Sequence, residues 1–496
     1  ESRGLGDVYK RQVTENWFDL NASRYTPSST LQRMELLKTG YMGTLSLGWD
    51  NYLFLELTGR QERSSTLKDQ SFFYPSANLS FLFTQAFHMP SWWNYGKLRL
   101  SYGIVGNAPE TYTANIVYEQ GSDNGFTWNT IPSSWGNADI RPEKKYEYEI
   151  GLESKFLNNR LGIDISYYNN RVKDQILSTP QPSTSGVKNV LMNVGEVANH
   201  GWDISISATP ILTRDFRWDL TANYGVYKNK VVKLADGVPY LEILNSGGSG
   251  IKIQAVEGQP MGDIYAQVPQ VNENGEYLVS DKGLYLNQTE LQKVGNINPA
   301  GVGGLFNSFS YKNVFLDFSI DFRIGGDVIN EMNQYATAVG LTPESLKYRD
   351  TEHGGLSYYY PGDNNSSGIP VQVDPSTGAG PNGEIIYHDG IILPGVVAST
   401  GERNTRIIPA GYYYNTTYNW GTEAEQLTYR HSVFDNSYVK LRELTIGYQF
   451  PEKMISKLGL GRLSVSVFGR NLFYFYKALK NLSLIHISEP TRLDVI

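Results

Sequence analysis

Residues 436–473 read NSYVKLRELTIGYQFPEKMISKLGLGRLSVSVFGRNLF, two β-type segments joined by a short linker. From Leu444 the apolar side chains alternate, Leu444, Ile446, Tyr448 and Phe450, while Glu443, Thr445, Gly447 and Gln449 hold the other parity. Successive side chains of a strand point to opposite faces, so one face of this segment is apolar and the other polar. The apolar face needs a cover, either a second sheet in a sandwich or lipid.

The same grammar recurs upstream. Leu316, Phe318, Ile320, Phe322 and Ile324 share one parity against Asp317, Ser319, Asp321 and Arg323, which predicts Ile320 on the covered face and Asp321 on the wet one. Trp218, Leu220, Ala222, Tyr224 and Val226 likewise oppose Arg217, Asp219, Thr221 and Asn223. Tyr146, Tyr148, Ile150 and Leu152 oppose Glu147, Glu149, Gly151 and Glu153.

The connections decide between the two covers. Predicted strands at 41–49 and 53–60, 75–85 and 97–103, 143–156 and 161–168, 202–208 and 218–226, and 306–310 and 316–324 are joined pairwise by short turns. Long joins over roughly 61–74, 107–142, 169–201, 229–304 and 325–436 separate the pairs. A transmembrane barrel sorts its connections in this way, short periplasmic turns at one rim and long extracellular loops at the other, and a soluble sandwich has no reason to. Trp49, Trp202, Trp218, Tyr448 and Phe450, near predicted strand ends, suit interfacial girdles. The sequence thus predicts an all-β fold, a partial transmembrane antiparallel β-barrel of about twelve strands.

Composition narrows the function. An aromatic content of 13% over 496 residues excludes a disordered chain, and the net charge of -7, with no basic stripe, excludes nucleic acid as partner. With no cysteine there are no disulfides and no thiolate metal sites. No apolar run is long enough for a transmembrane helix. The six histidines form no metalloprotease motif, and neither a nucleophile elbow nor a phosphate-binding glycine loop occurs, so no enzyme and no cofactor is expected. Glu147 and Glu149 read as a solvated face rather than a glycosidase pair. DNNSSG at 363–368 and NENG at 272–275 read as turns rather than Ca²⁺ loops.

Specific segments carry a resemblance. FFYPSANLSFLF, GKLRLSYGIVGN, RPEKKYEYEIGLESKFLNNRLGIDISYYNNRVKDQIL, NVGEVANHGWDISISATPI, FRWDLTANYGVYKNKVVKL, GDIYA, SFSYKNVFLDFSIDFRIGGDVIN, SYVKLRELTIGYQFP and GRNLF follow one another in this order. Together they resemble the barrel of the SusC/RagA family of TonB-dependent outer-membrane transporters, with small departures at RQERSS (60–65) and His200. The resemblance implies import of large nutrients, glycan more than peptide, across the outer membrane of a Gram-negative, Bacteroidetes-type bacterium. It implies as partners a SusD-like lipoprotein, TonB with its inner-membrane motor, a glycan or peptide substrate, and outer-membrane lipid. The alternative is a soluble or surface-attached β-rich carbohydrate-binding protein.

Family barrels close with about 22 strands around a plug. No plug-like segment or TonB box is legible here, so the chain is expected to be an incomplete receptor barrel that does not transport alone and forms an open sheet. ESRGLGDVYKRQ at 1–12 and SLIHISEPTRLDVI at 483–496 resemble translated sequencing-adapter sequence, which leaves 13–482 as the barrel. Trp128, Trp135, Tyr358, Tyr359, Tyr360, Tyr412, Tyr413, Tyr414 and Trp420, all in long joins, are the candidate substrate or partner contacts. Their flat faces suit stacking on sugar rings, and packing of the loops against one another or against the lipoprotein is the competing use.

Overall fold

The computed structural model describes residues 34–68, 71–123, 126–246, 250–362, 368–419, 428–456 and 459–479. Residues 1–12 and 483–496, Trp420 and most of the DNNSSG turn lie outside them. Twelve strands form one sheet in chain order, each antiparallel to the next. They are β1 (Lys38–Trp49), β2 (Leu53–Ser64), β3 (Ser71–Phe81), β4 (Trp93–Asn107), β5 (Glu143–Phe156) and β6 (Leu161–Lys173). The second half comprises β7 (Glu196–Leu212), β8 (Phe216–Lys233), β9 (Pro299–Tyr311), β10 (Val314–Gly325), β11 (Tyr438–Gln449) and β12 (Ser464–Lys477). Among the described residues β1 and β12 each have one neighbour, so the sheet they form is open, as expected from sequence.

Register carries the two faces unbroken from strand to strand. Leu55, Leu79, Leu100, Ile150, Tyr167, Trp202 and Val226 stand side by side across seven strands. The opposite face holds the row Arg99, Gly151, Ser166, Asp203, Gly225, Val302, Arg323 and Tyr438. A one-residue slip anywhere would exchange the faces of a whole strand, so burial of the apolar face fixes the register. One cavity of about 740 Å³ is lined by Arg99, Asp164, Asp203, Asn223, Asp321 and Arg323, from β4, β6, β7, β8 and β10. Strands that far apart share a cavity only if the sheet curves around its polar face. The apolar face is therefore convex and turned outward, and Ile320 and Asp321 lie where the alternation put them.

Polar side chains on the concave face satisfy one another across strands. Arg99 forks onto Asp164 at 2.6 and 3.1 Å and reaches Ser166 at 3.1 Å. Between them runs β5, and Gly151 makes the crossing possible, because a Cβ there would stand 2.8 Å from the guanidinium. On the convex face, Trp218, Phe309 and Phe318 stack over three strands, centroids 5.5 and 6.0 Å apart. The Trp218 indole N–H donates to Asn307 Oδ1 at 3.1 Å, which gives a polar side chain on this face a partner beneath aromatic cover.

Three details depart from the sequence reading. The join expected over 61–74 shrinks to 65–70, because β2 and β3 remain paired out to Arg63 and Ser71. Residues 83–86, expected to end a strand, form a helical turn whose Phe83 packs edge-on against Trp93 at 5.3 Å. Several other strands outrun their predicted spans, β7 and β9 most visibly, because the alternation fades where both faces leave an apolar surrounding while the ladder continues. A bulge in β11 leaves Arg442 unpaired between Leu441 and Glu443. It returns Leu441 to the apolar face, opposite Ile320, and sets Arg442 Nε 3.4 Å from Asp321.

In the full-length receptor reconstituted in lipid, Ile320→Arg is expected to destabilise the barrel by about 2–4 kcal/mol, as a charge near the middle of a lipid-facing strand does. Asp321→Asn, which only weakens a half-exposed ion pair, is expected to cost under about 1 kcal/mol. Urea unfolding followed by tryptophan fluorescence separates the two, and equal costs would contradict the face assignment.

Candidate ligand surface in the long loops

The loops following β8 and β10 fold into small domains of their own. The first carries a four-stranded sheet, Tyr240–Ser246, Ile251–Val256, Asp263–Ala266 and Gln292–Asn296. Ile251, Ile264 and Ala266 are fully buried there and pack with Tyr429 and Val433 from the second loop. The second carries the sheet of Val371–Gln372, Leu356–Tyr359, Tyr387–Ile391 and Ile408–Pro409, and the helices Glu331–Ala338 and Ala410–Tyr418. The loops are also stitched by polar contacts: Thr428 Oγ1 donates to Asn287 Oδ1 at 2.8 Å, and Ser399 Oγ to Asp281 Oδ1 at 2.6 Å.

GDIYA, a motif read from sequence only by resemblance, is the anchor of the first loop. Gly262 takes a left-handed φ of +91°, which a side chain rarely adopts. Asp263 follows it, fully buried, 2.7 Å from Lys293 Nζ and accepting from Asn296 Nδ2 at 2.7 Å. In the second loop Glu384 plays a comparable part. It accepts backbone N–H groups of Asn382 at 2.8 Å and Gly362 at 3.1 Å, bonds that hold its carboxyl well down, to about 2.

The sequence candidates divide by position. Tyr358, Tyr360 and Tyr414 are buried and pack the loop, Tyr360 leaving only an edge open. Tyr358 stacks on Tyr387 and donates to Asp389 Oδ1 at 3.1 Å, and Tyr414 donates to the Glu344 carbonyl at 2.7 Å. Tyr413 lies half-buried between Tyr414 and Tyr418, its hydroxyl pushed up to about 12 by burial. Tyr359 is partly exposed. Trp128 is exposed on the hairpin of Glu119–Asp123 and Phe126–Thr130, while Trp135 meets Tyr118 edge-on at 6.2 Å on another strand. Tyr412 is exposed.

Tyr412 and the rim of Tyr360 meet in a recess of about 380 Å³, walled also by Lys282, Arg406, Pro370 and Pro409. The sequence reading passed over Lys282 and Arg406. They stand far apart in the chain among ordinary turn residues, and only the docking of the two loops brings them together.

Comparison with known proteins fits this architecture. The family described as TonB dependent receptor-like, beta-barrel matches residues 3–255. The chain belongs to this family. Its members are outer-membrane β-barrels of Gram-negative bacteria that act as receptors and transporters. TonB-dependent receptor P3 of Formosa agariphila is 25% identical over 517 residues, covering 95% of this chain and 44% of that protein. TonB-dependent receptor SusC of Bacteroides thetaiotaomicron is 30% identical over 247 residues, 46% of this chain and 24% of that one. The RagAB peptide transporter structure shares the fold, with a TM-score of 0.63 at 19% identity over 88% of this chain and 44% of that one. The chain thus spans under half the length of these relatives.

Two outcomes test the loop packing. Asp263→Ala is expected to cost about 1–2 kcal/mol of local stability, since it takes the acceptor from the Asn296 amide while half-exposed Lys293 turns to water. Amide exchange in residues 251–296 reports it. His431, stacked on Tyr418 at 4.4 Å, is pulled down to about 4 by burial and by Arg430, against a smaller opposing effect of Glu344. Its neutral form is favoured in the folded loop, so stability is full above the ordinary histidine range and falls as pH drops from about 6.5 to 4. Exchange around residues 410–432 should quicken over that window, and His431→Gln should flatten the dependence.

Proposed function

We propose that this chain is barrel and loop structure of a SusC-type outer-membrane importer, with residues 13–482 as receptor sequence. The observation that carries the reading is the sorting of connections on a sheet that is polar on its concave face and apolar on its convex one. The turns 50–52, 157–160, 213–215 and 312–313 all lie on one rim, and the folded loops lie on the other. In this reading the short-turn rim is periplasmic, the loops meet the outside, the convex face meets outer-membrane lipid, and the bacterium is of Bacteroidetes type. A SusD-like surface lipoprotein covers the loops, and TonB with its inner-membrane motor drives import.

The cargo is glycan rather than peptide. Trp128 and Tyr412 offer exposed rings of the kind that stack on sugars. A peptide adding to the strand edge at Ile408–Pro409 would meet a proline with no N–H to give. Deleting the gene is expected to abolish growth on oligosaccharides as sole carbon source and to spare growth on peptides; the reverse pattern would overturn the assignment. Sidedness has its own test. Ser376 is exposed in the second loop, and the chain has no native cysteine. Ser376→Cys should react with an impermeant maleimide in intact cells, and protection until the outer membrane is opened would place the loops inside.

A further inference from the structure

Toward the long-loop rim, the convex face of β5, β6, β7 and β8 changes character row by row. The row of Ile150, Tyr167, Trp202 and Val226 is apolar, with the rings of Tyr167 and Trp202 in contact at 4.9 Å. The next same-face row holds Tyr148, Asn169, His200 and Lys228, the one after it Tyr146, Arg171, Ala198 and Lys230, and the outermost Lys144, Lys173, Glu196 and Lys233. The lipid-facing surface of these strands thus ends in a field of cations, in a chain whose net charge is -7. We infer that this field binds the phosphorylated headgroup of an outer-leaflet lipid, its phosphate among Lys144, Lys173, Lys228 and Lys230 and its acyl chains along the apolar row below.

The rows put these cations at headgroup depth. Same-face residues of a strand are about 7 Å apart, so the Lys228 and Lys230 rows lie about 7 and 13 Å beyond Trp202 along the strands, and less along the membrane normal once the strands tilt. Tryptophan and tyrosine mark the edge of the hydrocarbon, and the polar layer outside it is about 5–7 Å thick. Lys228 falls in that layer, and the long stems of the others reach back to it. The side of the sheet is fixed by the alternate residues, since Lys145, Glu147, Asn170 and Asn199 bond to one another on the concave face. Lys144, Lys228 and Lys230 are exposed and have no ion pair or hydrogen bond among the described residues, while Lys173 overhangs the Tyr146 ring at 5.8 Å. Nearby acids are engaged elsewhere. Glu196 holds Arg171 at 3.0 Å, Asp236 sits 3.3 Å from Lys233, and Glu143 accepts the Ile176 N–H at 2.8 Å. A soluble anion would have no use for the apolar row that leads up to the lysines, whereas a lipid uses both.

The inference rests on the proposed sidedness, in which the long-loop rim is outside, and not on the cargo. The full-length receptor in detergent micelles is titrated with diphosphoryl lipid A and with its dephosphorylated form, and bound lipid is read by native mass spectrometry. The phosphorylated form should bind about tenfold more tightly or better, and a large excess of inorganic phosphate should leave it in place. Lys144→Gln should weaken its binding about fivefold, as loss of one lysine at an anionic membrane surface does, while Lys145→Gln, the same charge change on the concave face, should leave it unchanged. Lys228→Gln with Lys230→Gln should remove most of the preference for phosphate, and Lys228→Arg with Lys230→Arg should keep it. Heat-modifiable gel migration checks that each variant is a folded barrel, and Lys144→Gln, at an exposed strand end, decides the matter if the double variant does not fold. Equal binding of the two lipids, displacement by inorganic phosphate, or equal losses from Lys144→Gln and Lys145→Gln overturns the inference and leaves the import reading standing. Shielding of Ser376→Cys in intact cells would put this rim inside and overturn both.

Discussion

Every backbone N–H and C=O that enters hydrocarbon has to find its partner within the protein, and between the two open edges of this sheet that partner is the adjacent strand. That requirement organises the rest. It makes the sheet one unbroken meander in chain order, and it fixes register so that a single slip would turn charged side chains such as Asp203, Asp321 and Arg323 outward. Connections are thereby forced to the two rims, where loops can grow without disturbing the ladder. The bulge at Arg442 is one of several tolerated breaks, and there an acidic neighbour on β10 receives the extra residue.

With the ladder fixed, the faces diverge by environment. The concave side is stabilised by mutual satisfaction among polar groups, of which the Arg99–Asp164 fork across β5 is one. On the convex side stability comes from contact of apolar area and stacked rings, with the Asn307 Oδ1 taking the Trp218 indole N–H. The loops obey a third regime. They are dense miniature domains with fully buried positions such as Ile251, Ile264, Val279 and Leu284, of the kind found in soluble proteins.

These regimes explain what was legible in the sequence. A period of two with one apolar parity is a strong signal, so β5, β8, β10 and the short turns could be read directly, and the face of Ile320 with them. Strand ends could not be read, because past the apolar zone β7 and β9 keep their hydrogen bonds while losing their alternation. The first long join was overestimated for the same reason. In the loops, aromatic residues stood out but their roles did not. Nothing in the order of residues 358–360 tells that Tyr358 and Tyr360 face a core while Tyr359 does not, since that depends on which strands the segment meets. Arg406 and Lys282 gave no signal at all, their proximity being a product of tertiary docking between distant segments.

The seam between those segments has a mechanical meaning. The β9–β10 hairpin lies in the chain between the two loops, so Thr428 and Asn287, 141 residues apart, close a ring through that hairpin on the long-loop rim. Pulling either strand out of the sheet would strain the seam along with the ladder, and opening the seam would loosen both strands at once. Three segments separated in sequence therefore bear load together, and a push on the outer loops is passed to β9 and β10 jointly rather than to either alone.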